Sequence, residues 1–448
     1  YCEHQERNSR SRSTDGKVFE RAWIVGVNMD KIELENNKER YLRKVPIPPG
    51  WNVYTLYETR DKSEKYSFTG GPFGSHLKKE HYTEKGVRII QLQNIGDGKF
   101  LDNYKLYTSE EKADELYSCN IFPHDIIISK MAEPLARACK VPAIEERFLM
   151  ASDGIRLKVD KDRFDTDFIL YTINSWYFRK EAIRKGTGTT RMRIGLSDLK
   201  NIRLMAPNLH EQKLVSDILL TWDKAIELKE KLIEQKKEQK KGLMQKLLTG
   251  EVRLPGFYEK WEKRQIGELI TESKVIADEP DLNKRITVRL NLKGVQKREV
   301  TSVEKENVTT QYVRRAGQFI YGKQNLYKGA IGIVPEELDG FQSSSDIPSF
   351  DFNSDVDGLW FYYYFSRESF YSYLEVISTG TGSKRVNPKD LFRIKINVPP
   401  LDEQRQISKI LLSQDQEIKL LEKELKALKM QKKGLMQLLL TGKIRVKV

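Results

Sequence analysis

Two short segments carry the residue types that hold phosphate. Gly186-Thr187-Gly188-Thr189-Thr190-Arg191-Met192-Arg193 and Thr379-Gly380-Thr381-Gly382-Ser383-Lys384-Arg385 each bring backbone amides, hydroxyls and cations into a few residues, a mixture suited to phosphate oxygens. A tight turn joining two elements would have the same composition, so both readings stand. An ATP-binding loop is not supported, because the stretch from Gly380 to Lys384 lacks the four-residue interval between glycines and the strand-to-helix setting. Side chains able to read base edges lie elsewhere. Gln, Asn, Arg and Lys on loops have the donors and acceptors that the major groove demands. Ser75, His76, Lys78 and Lys79 end a glycine-rich loop that begins at Phe68; Gln91, Gln93 and Asn94 flank an apolar run; Lys130 and Arg137 follow the run from Asp125 to Ser129. In the second half the same types recur at Lys323, Gln324, Asn325, Tyr327 and Lys328. With Thr189, Thr190, Arg191, Arg193, Thr381, Ser383, Lys384 and Arg385, these are the candidate DNA-contacting residues. Each is also an ordinary surface type.

Catalytic chemistry finds no such support. A methyltransferase needs a glycine-rich cofactor loop and an Asn/Asp-Pro-Pro-aromatic segment; Pro48-Pro49-Gly50-Trp51 lacks the leading amide. Asp97-Gly98-Lys99 has no Pro-Asp pair upstream and reads as a turn. His4, His76, His81, His124 and His210 fall at no ligand or triad spacing. The expectation is a chain that catalyses nothing, binds no metal and holds no cofactor.

The elements that must position these residues come from a duplication. Thr187 to Arg253 and Thr379 to Arg445 align without a gap, Glu403 against Glu211, 192 positions apart. Pro207…Leu209…Glu211-Gln212…Ile218-Leu219-Leu220 in the first copy answers Pro399…Leu401…Glu403-Gln404…Ile410-Leu411-Leu412 in the second. Both copies end in Lys-Lys-Gly-Leu-Met-Gln and Leu-Leu-Thr-Gly, so a whole unit was duplicated. Residues 46–186 and 254–378 match only at scattered points, such as Lys130 with Lys323.

Each copy reads as a long helix. Apolar residues spaced three and four apart form a heptad seam, with Leu219, Ile226, Ile233 and Leu247 in copy one and Leu411, Ile418, Leu425 and Leu439 in copy two. Lys229, Lys236 and Lys240 weaken the seam of copy one. Prolines (Pro207, Pro400) precede the helices and glycines (Gly250, Gly442) end them. A rod of about 57 Å follows from 1.5 Å per residue, and neither rod can bury its stripe alone. With a globular module between them, the two are expected to pair as an antiparallel coiled coil. Gly242 and Gly434, inside the pattern, predict a kink or close approach. The run Lys236-Lys237-Glu238-Gln239-Lys240-Lys241 reads as a solvated helical face in preference to a DNA-binding one.

The fold class is α+β: two mixed α/β modules alternating with two long helices. The divisions are a polar leader and linker at 1–45, a first module at 46–206, a first helix at 207–252, a second module at 253–398 and a second helix at 399–448. A formal charge of +14 over 448 residues favours a polyanionic partner. Cys2, Cys119 and Cys139 are too few for a disulfide framework or zinc site, and no apolar run nears the roughly 18 to 20 residues of a membrane span. The expected location is the cytoplasm.

Two variable modules, two repeated helices, the Glu-Gln…Ile-Leu openings, the Lys-Lys-Gly-Leu-Met-Gln…Leu-Leu-Thr-Gly endings and the Gly-Thr loops together resemble the DNA-specificity (S) subunit of type I restriction-modification systems. The resemblance covers residues 46–448. It implies that each module is a target recognition domain for one half of a bipartite double-stranded DNA sequence, with the helices as a spacer. It also implies docking of two modification (methyltransferase) subunits, which would bind S-adenosylmethionine, and of restriction (nuclease and translocase) subunits in the full complex. The competing expectation is a coiled-coil assembly adaptor that touches no nucleic acid.

Overall fold

The computed structural model describes residues 46–131, 133–188, 191–299, 309–380 and 384–446. The leader at 1–45 and four candidates, Thr189, Thr190, Thr381 and Ser383, lie outside the described residues. Two compact units result. One comprises the described residues up to Thr221 and those from Gln431 onward; the other is Trp222–Met430.

The modules, so unlike in sequence, share a topology. In the first, β1 (Phe68–Gly70), β2 (Ile126–Ser129), β3 (Ala138–Lys140) and β4 (Gly154–Leu157) form an antiparallel sheet in the order β1-β4-β2-β3. In the second, β5 (Ile270–Ser273), β6 (Phe319–Tyr321), β7 (Ile331–Ile333) and β8 (Ser349–Phe352) take the order β5-β8-β6-β7. Apolar runs such as Ile126-Ile127-Ile128, buried on both faces, are what a strand covered on two sides requires. Between corresponding strands the modules diverge. The first inserts a five-stranded sheet that includes the buried strand Val87–Ile90, whereas the second inserts two-stranded ribbons at Ile286–Val288/Val295–Lys297 and Gln311–Val313/Gln342–Ser344. Different inserts in one frame account for a sequence match that survives only at scattered points.

Duplication extends further back than the sequence reveals. Helix α1 (Thr166–Asn174) is capped by Asp165, whose carboxylate accepts from Phe168 N at 2.8 Å. Helix α4 (Gly358–Phe365) is capped in the same way by Asp357, 192 positions later, which accepts from Trp360 N at 2.8 Å. Gln212 Oε1 accepts from Asp165 N at 2.9 Å, and Gln404 Oε1 from Asp357 N at 2.8 Å. The repeated Gln is thus the peg that seats each module's core helix on its long helix. Trp360–Phe365 supplies apolar and aromatic side chains to the core of the second module, as its dense aromatic composition predicts.

The long helices are α3 (Leu209–Thr249) and α6 (Leu401–Leu440), with α2 (Trp176–Lys185) and α5 (Glu368–Tyr373) preceding them in chain order. Within Trp222–Met430 the two pair antiparallel, since Lys229 meets Glu424 at 2.9 Å while Lys236 meets Glu417 at 2.6 Å and Lys240 meets Asp415 at 2.6 Å. Leu247 and Leu411 enter one core, and Leu219 and Leu439 enter the core of the other unit. Ile233 and Ile418 are buried, but Ile226 and Leu425 are only half-buried. The lysines that thin the apolar seam therefore form a ladder of cross-helix ion pairs, to which Lys237–Glu422 and Glu230–Lys429 add rungs. The solvated-face reading of the lysine run holds for Lys237, Glu238, Gln239 and Lys241, which are exposed, and is corrected for Lys236 and Lys240, which are mostly covered and paired across the helices.

Gly250 and Gly442 end the helices at φ +75° and +64°, the left-handed cap that favours glycine. The expectation of close approach at Gly242 and Gly434 fails, because a Cβ at either would meet nothing within 4 Å and both helices run through. Replacing each glycine with alanine is expected to stabilise the chain by roughly 1 kcal/mol, read as a higher urea midpoint at unchanged slope.

Candidate nucleic-acid interface

In each module the strand that ends in lysine is stitched to the Thr-Gly loop. Lys130 N donates to Asp153 O at 2.7 Å, and Ile194 N donates to Lys130 O at 2.8 Å. Lys323 N donates to Asp346 O at 2.9 Å, and Val386 N to Lys323 O at 2.9 Å. The loops close by reciprocal backbone bonds, Thr187 with Arg193 and Thr379 with Arg385. Arg193 then pairs with Asp153, and Arg385 lies 3.6 Å from Asp346. The same lysine, aspartate and arginine thus hold the same loop in both modules. Asp153 and Asp346 were missed by sequence reasoning, although Ser152-Asp153 and Ser345-Asp346 share the spacing of the matched pair Lys130 and Lys323.

Around this stitch the first module brings together the Gln91–Asn94 turn, Arg137 and the Thr-Gly loop. Arg137 Nη2 donates to Leu92 O at 2.8 Å, which ties the Gln91–Asn94 turn to the loop after β2. A Cβ on Gly186 would lie 3.0 Å from both Leu135 and Met192, so that loop abuts the Thr-Gly loop. Ser75, His76, Lys78, Lys79, Gln93, Arg191 and Arg193 are exposed, and Gln91 is half-buried. Phe73 stands 80% exposed with its ring 6.1 Å from that of His76. An exposed phenylalanine on a loop tip is the other candidate that sequence reasoning passed over.

Three candidates serve the scaffold. Asn94 is fully buried, its amide donating to Leu101 O and Tyr104 O and its carbonyl accepting from Gln91 N. With every polar atom engaged inside the loop, Asn94 is removed from the surface set. Lys130 Nζ donates to Ser152 O at 2.9 Å, and burial pushes its pKa down, opposed by Asp153. Arg137 donates to Glu133 O and Leu92 O. Lys130 and Arg137 shape the face from beneath.

The second module presents Lys323, Gln324, Asn325, Tyr327 and Lys328 on the segment following β6, of which Gln324 and Lys328 are exposed. Lys384 binds Glu375 at 2.7 Å, and this bond, aided by Tyr327, raises its pKa. Among the described residues, no carboxylate lies within ion-pair distance of Lys79, Arg191, Lys323 or Lys328. Beneath the inserts sit buried cations: Arg156 binds Asp125 at 2.6 Å and Glu64 at 2.7 Å, whereas Arg314 rests on Ser343, Ser349 and Ser273 O, and burial lowers its pKa to about 10. Among the described residues no cluster of His, Cys, Asp and Glu could hold a metal ion. Cys119 and Cys139 are free and buried.

Gly71 fixes where the 71–79 loop leaves β1. A Cβ there would overlap the Ala151 carbonyl, so Gly71→Ala is expected to cost about 2 kcal/mol through forced backbone displacement and to weaken duplex binding by the first module. Thermal denaturation and a duplex titration would measure the two effects; unchanged values in both would remove the loop from the interface.

The family profile described as the type I restriction modification DNA specificity domain matches residues 74–237 and 258–430, one stretch in each half. The chain belongs to that family. Its relatives in the family include the putative type I restriction enzyme MjaX specificity subunit of Methanocaldococcus jannaschii, 27% identical over 93% of this chain and 99% of the relative. The type I restriction enzyme MjaVIII specificity subunit of the same organism is 28% identical over 46% of this chain and 48% of its own length. Among solved structures, the type I restriction-modification S subunit from M. genitalium covers 89% of this chain and 97% of its own, with TM-score 0.51 and 18% identity. The two matched stretches include both stitched loops. No helix among the described residues is long and apolar enough to cross a membrane.

Proposed function

We propose that the chain is the sequence-specific DNA-binding subunit of a type I restriction-modification complex, each module reading one half of a bipartite, non-palindromic target. The observation that carries this reading is one stitched frame, used twice, that displays different inserts. Two readers of one kind with unlike contents select two unlike half-sites. The first reader is residues 46–206 and the second 253–398; the helices at 207–252 and 399–448 set the gap, as half-site spacing does for other two-site readers. Base edges are met by Ser75, His76, Gln91, Gln93, Gln324 and Asn325, and phosphates by Lys78, Lys79, Arg191, Arg193, Lys323, Lys328, Lys384 and Arg385, joined by the loop hydroxyls of Thr189, Thr190, Thr381 and Ser383.

The chain works with methyltransferase and restriction subunits in the cytoplasm. Two methyltransferase subunits dock on the repeated helices, and these partners hold S-adenosylmethionine. The subunit itself is not the catalyst; it brings partners' active sites to chosen bases. Co-expression with the methyltransferase subunit of its own system, followed by mapping of methylated bases in the host genome, tests this. A chain-dependent motif of two unlike halves around a fixed gap is the expected outcome. An intact complex that adds no motif would favour the adaptor.

A further inference from the structure

Away from the stitched loops, the second module carries an open cleft of about 500 Å³ lined by Lys263, Arg367, Ser369, Phe370, Tyr373 and Lys395. Its volume falls within the range of small-molecule sites. Lys263 and Lys395 are exposed on two antiparallel strands, Glu262–Gln265 and Lys395–Val398. Arg367 caps the start of α5 and is half-buried, its guanidinium 4.0 Å above the Tyr364 ring and its Nε donating to Tyr364 O at 3.2 Å. The Nη groups of Arg367 have no acceptor among the described residues, and none of the three cations has a carboxylate within ion-pair distance. Burial accordingly lowers the Arg367 pKa, the mark of a cation without a counter-ion. Tyr373 is 56% exposed at the rim.

The first module serves as an internal control. At the positions 192 residues earlier, Ser175 replaces Arg367 as the cap of α2, Tyr177 replaces Ser369, and Glu181 replaces Tyr373. The matching strand pair puts Val53 where Lys263 stands. Only Arg203 retains the charge of Lys395. Tyr177 packs against the core there, burial pushing its hydroxyl pKa up, in the place that Ser369 leaves open. The cleft therefore does not belong to the duplicated scaffold; two cations were gained, a large side chain lost, and no acid kept.

We propose that this cleft is a phosphate-binding site peculiar to the second module, in which Lys263, Arg367 and Lys395 take the phosphate group and the Phe370 and Tyr373 rings flank the nucleoside attached to it. Three uncompensated cations match a phosphate's charge, and Arg367 has free donors for its oxygens. The exposed Tyr373 ring, beside the half-buried Phe370, accepts a base of any sequence. The phosphate belongs either to a free nucleotide or to a DNA backbone, and one experiment separates these sources.

The full chain would be titrated with ATP by calorimetry, and with duplex DNA at several salt concentrations, beside the variant Lys263→Gln/Lys395→Gln. Both substitutions fall at exposed positions, and an unaltered melting temperature without ligand verifies that the variant folds. If the ligand is a nucleotide, the chain binds ATP and the variant loses at least about tenfold in affinity. If it is the DNA backbone, ATP does not bind, and the variant weakens matched and unmatched duplexes alike, its salt slope smaller by about 2. ATP binding equal in both proteins, or no change with either ligand, overturns the site. The methylated motif reports on target reading independently, so the two proposals fail separately.

Discussion

Arg253→Met is expected to destabilise the unit Trp222–Met430 by about 3 kcal/mol. Arg253 grips Glu403 through two bonds of 2.7 Å, and Glu403, at 0% exposure, also accepts from Trp261 Nε1 at 2.9 Å. Removing the cation leaves a buried carboxylate with one neutral donor, and breaking such a pair costs about 3–5 kcal/mol. The lower end applies because Arg253 is 28% exposed. Urea unfolding followed through tryptophan fluorescence would report the loss directly, since Trp261 is part of the clamp. Arg253→Met with Glu403→Leu is expected to recover most of it, because the uncompensated charge goes with its partner. A single variant within about 0.5 kcal/mol of the parent would mean that the clamp does not hold the unit.

Lengthening both helices by one heptad, after Ile226 in α3 and at the facing position of α6, is expected to widen the gap in the methylated motif while leaving both halves intact. Seven residues rise about 10 Å, close to three base steps at about 3.4 Å each. The ion-pair ladder makes this feasible, since Lys229–Glu424 and Lys236–Glu417 are one heptad apart on each helix. An inserted heptad with lysine opposite glutamate adds a rung in register. Extending one helix alone puts the facing charges out of step and is expected to abolish the motif. Base-resolved mapping of methylation would decide; a changed half-site around the old gap would refute the helices as the ruler.

The helices were the most legible part, because a period of 3.5, a leading proline and a closing glycine are local signals. The ladder was not: lysine at a seam position looks like a defect until the acid facing it, 175 residues or more away for Lys240 and Lys229, is known. The shared sheet was hidden for a related reason. Strand order is fixed by pairing between distant segments, and Gly154–Leu157 and Ser349–Phe352 have little in common beyond burial. At the candidate interface the loops were visible as composition, and Lys130 and Lys323 hold equivalent backbone positions, as the sequence match suggested. Composition does not show direction, however, and Asn94, which has the type of a base reader, turned inward to close its own turn.

The first unit draws its core from two segments far apart in the sequence. Trp51, Val215 and Leu219 share a core with Leu439 and Leu440, and Glu211, 1% exposed, finds its cation in Arg445 at 2.6 Å. Arg445 also donates to Pro49 O at 2.7 Å. During synthesis the first module leaves the ribosome long before residues 431–446 are added, and until then its apolar seat stays open and Glu211 lacks its Arg445 partner. The second unit, formed from a continuous stretch, can finish first, reversing the usual N-to-C order of domain completion. Residues 431–446 therefore act as a seal on the first module, and a break in the chain before them would be felt 234 residues upstream of Arg445, at Glu211.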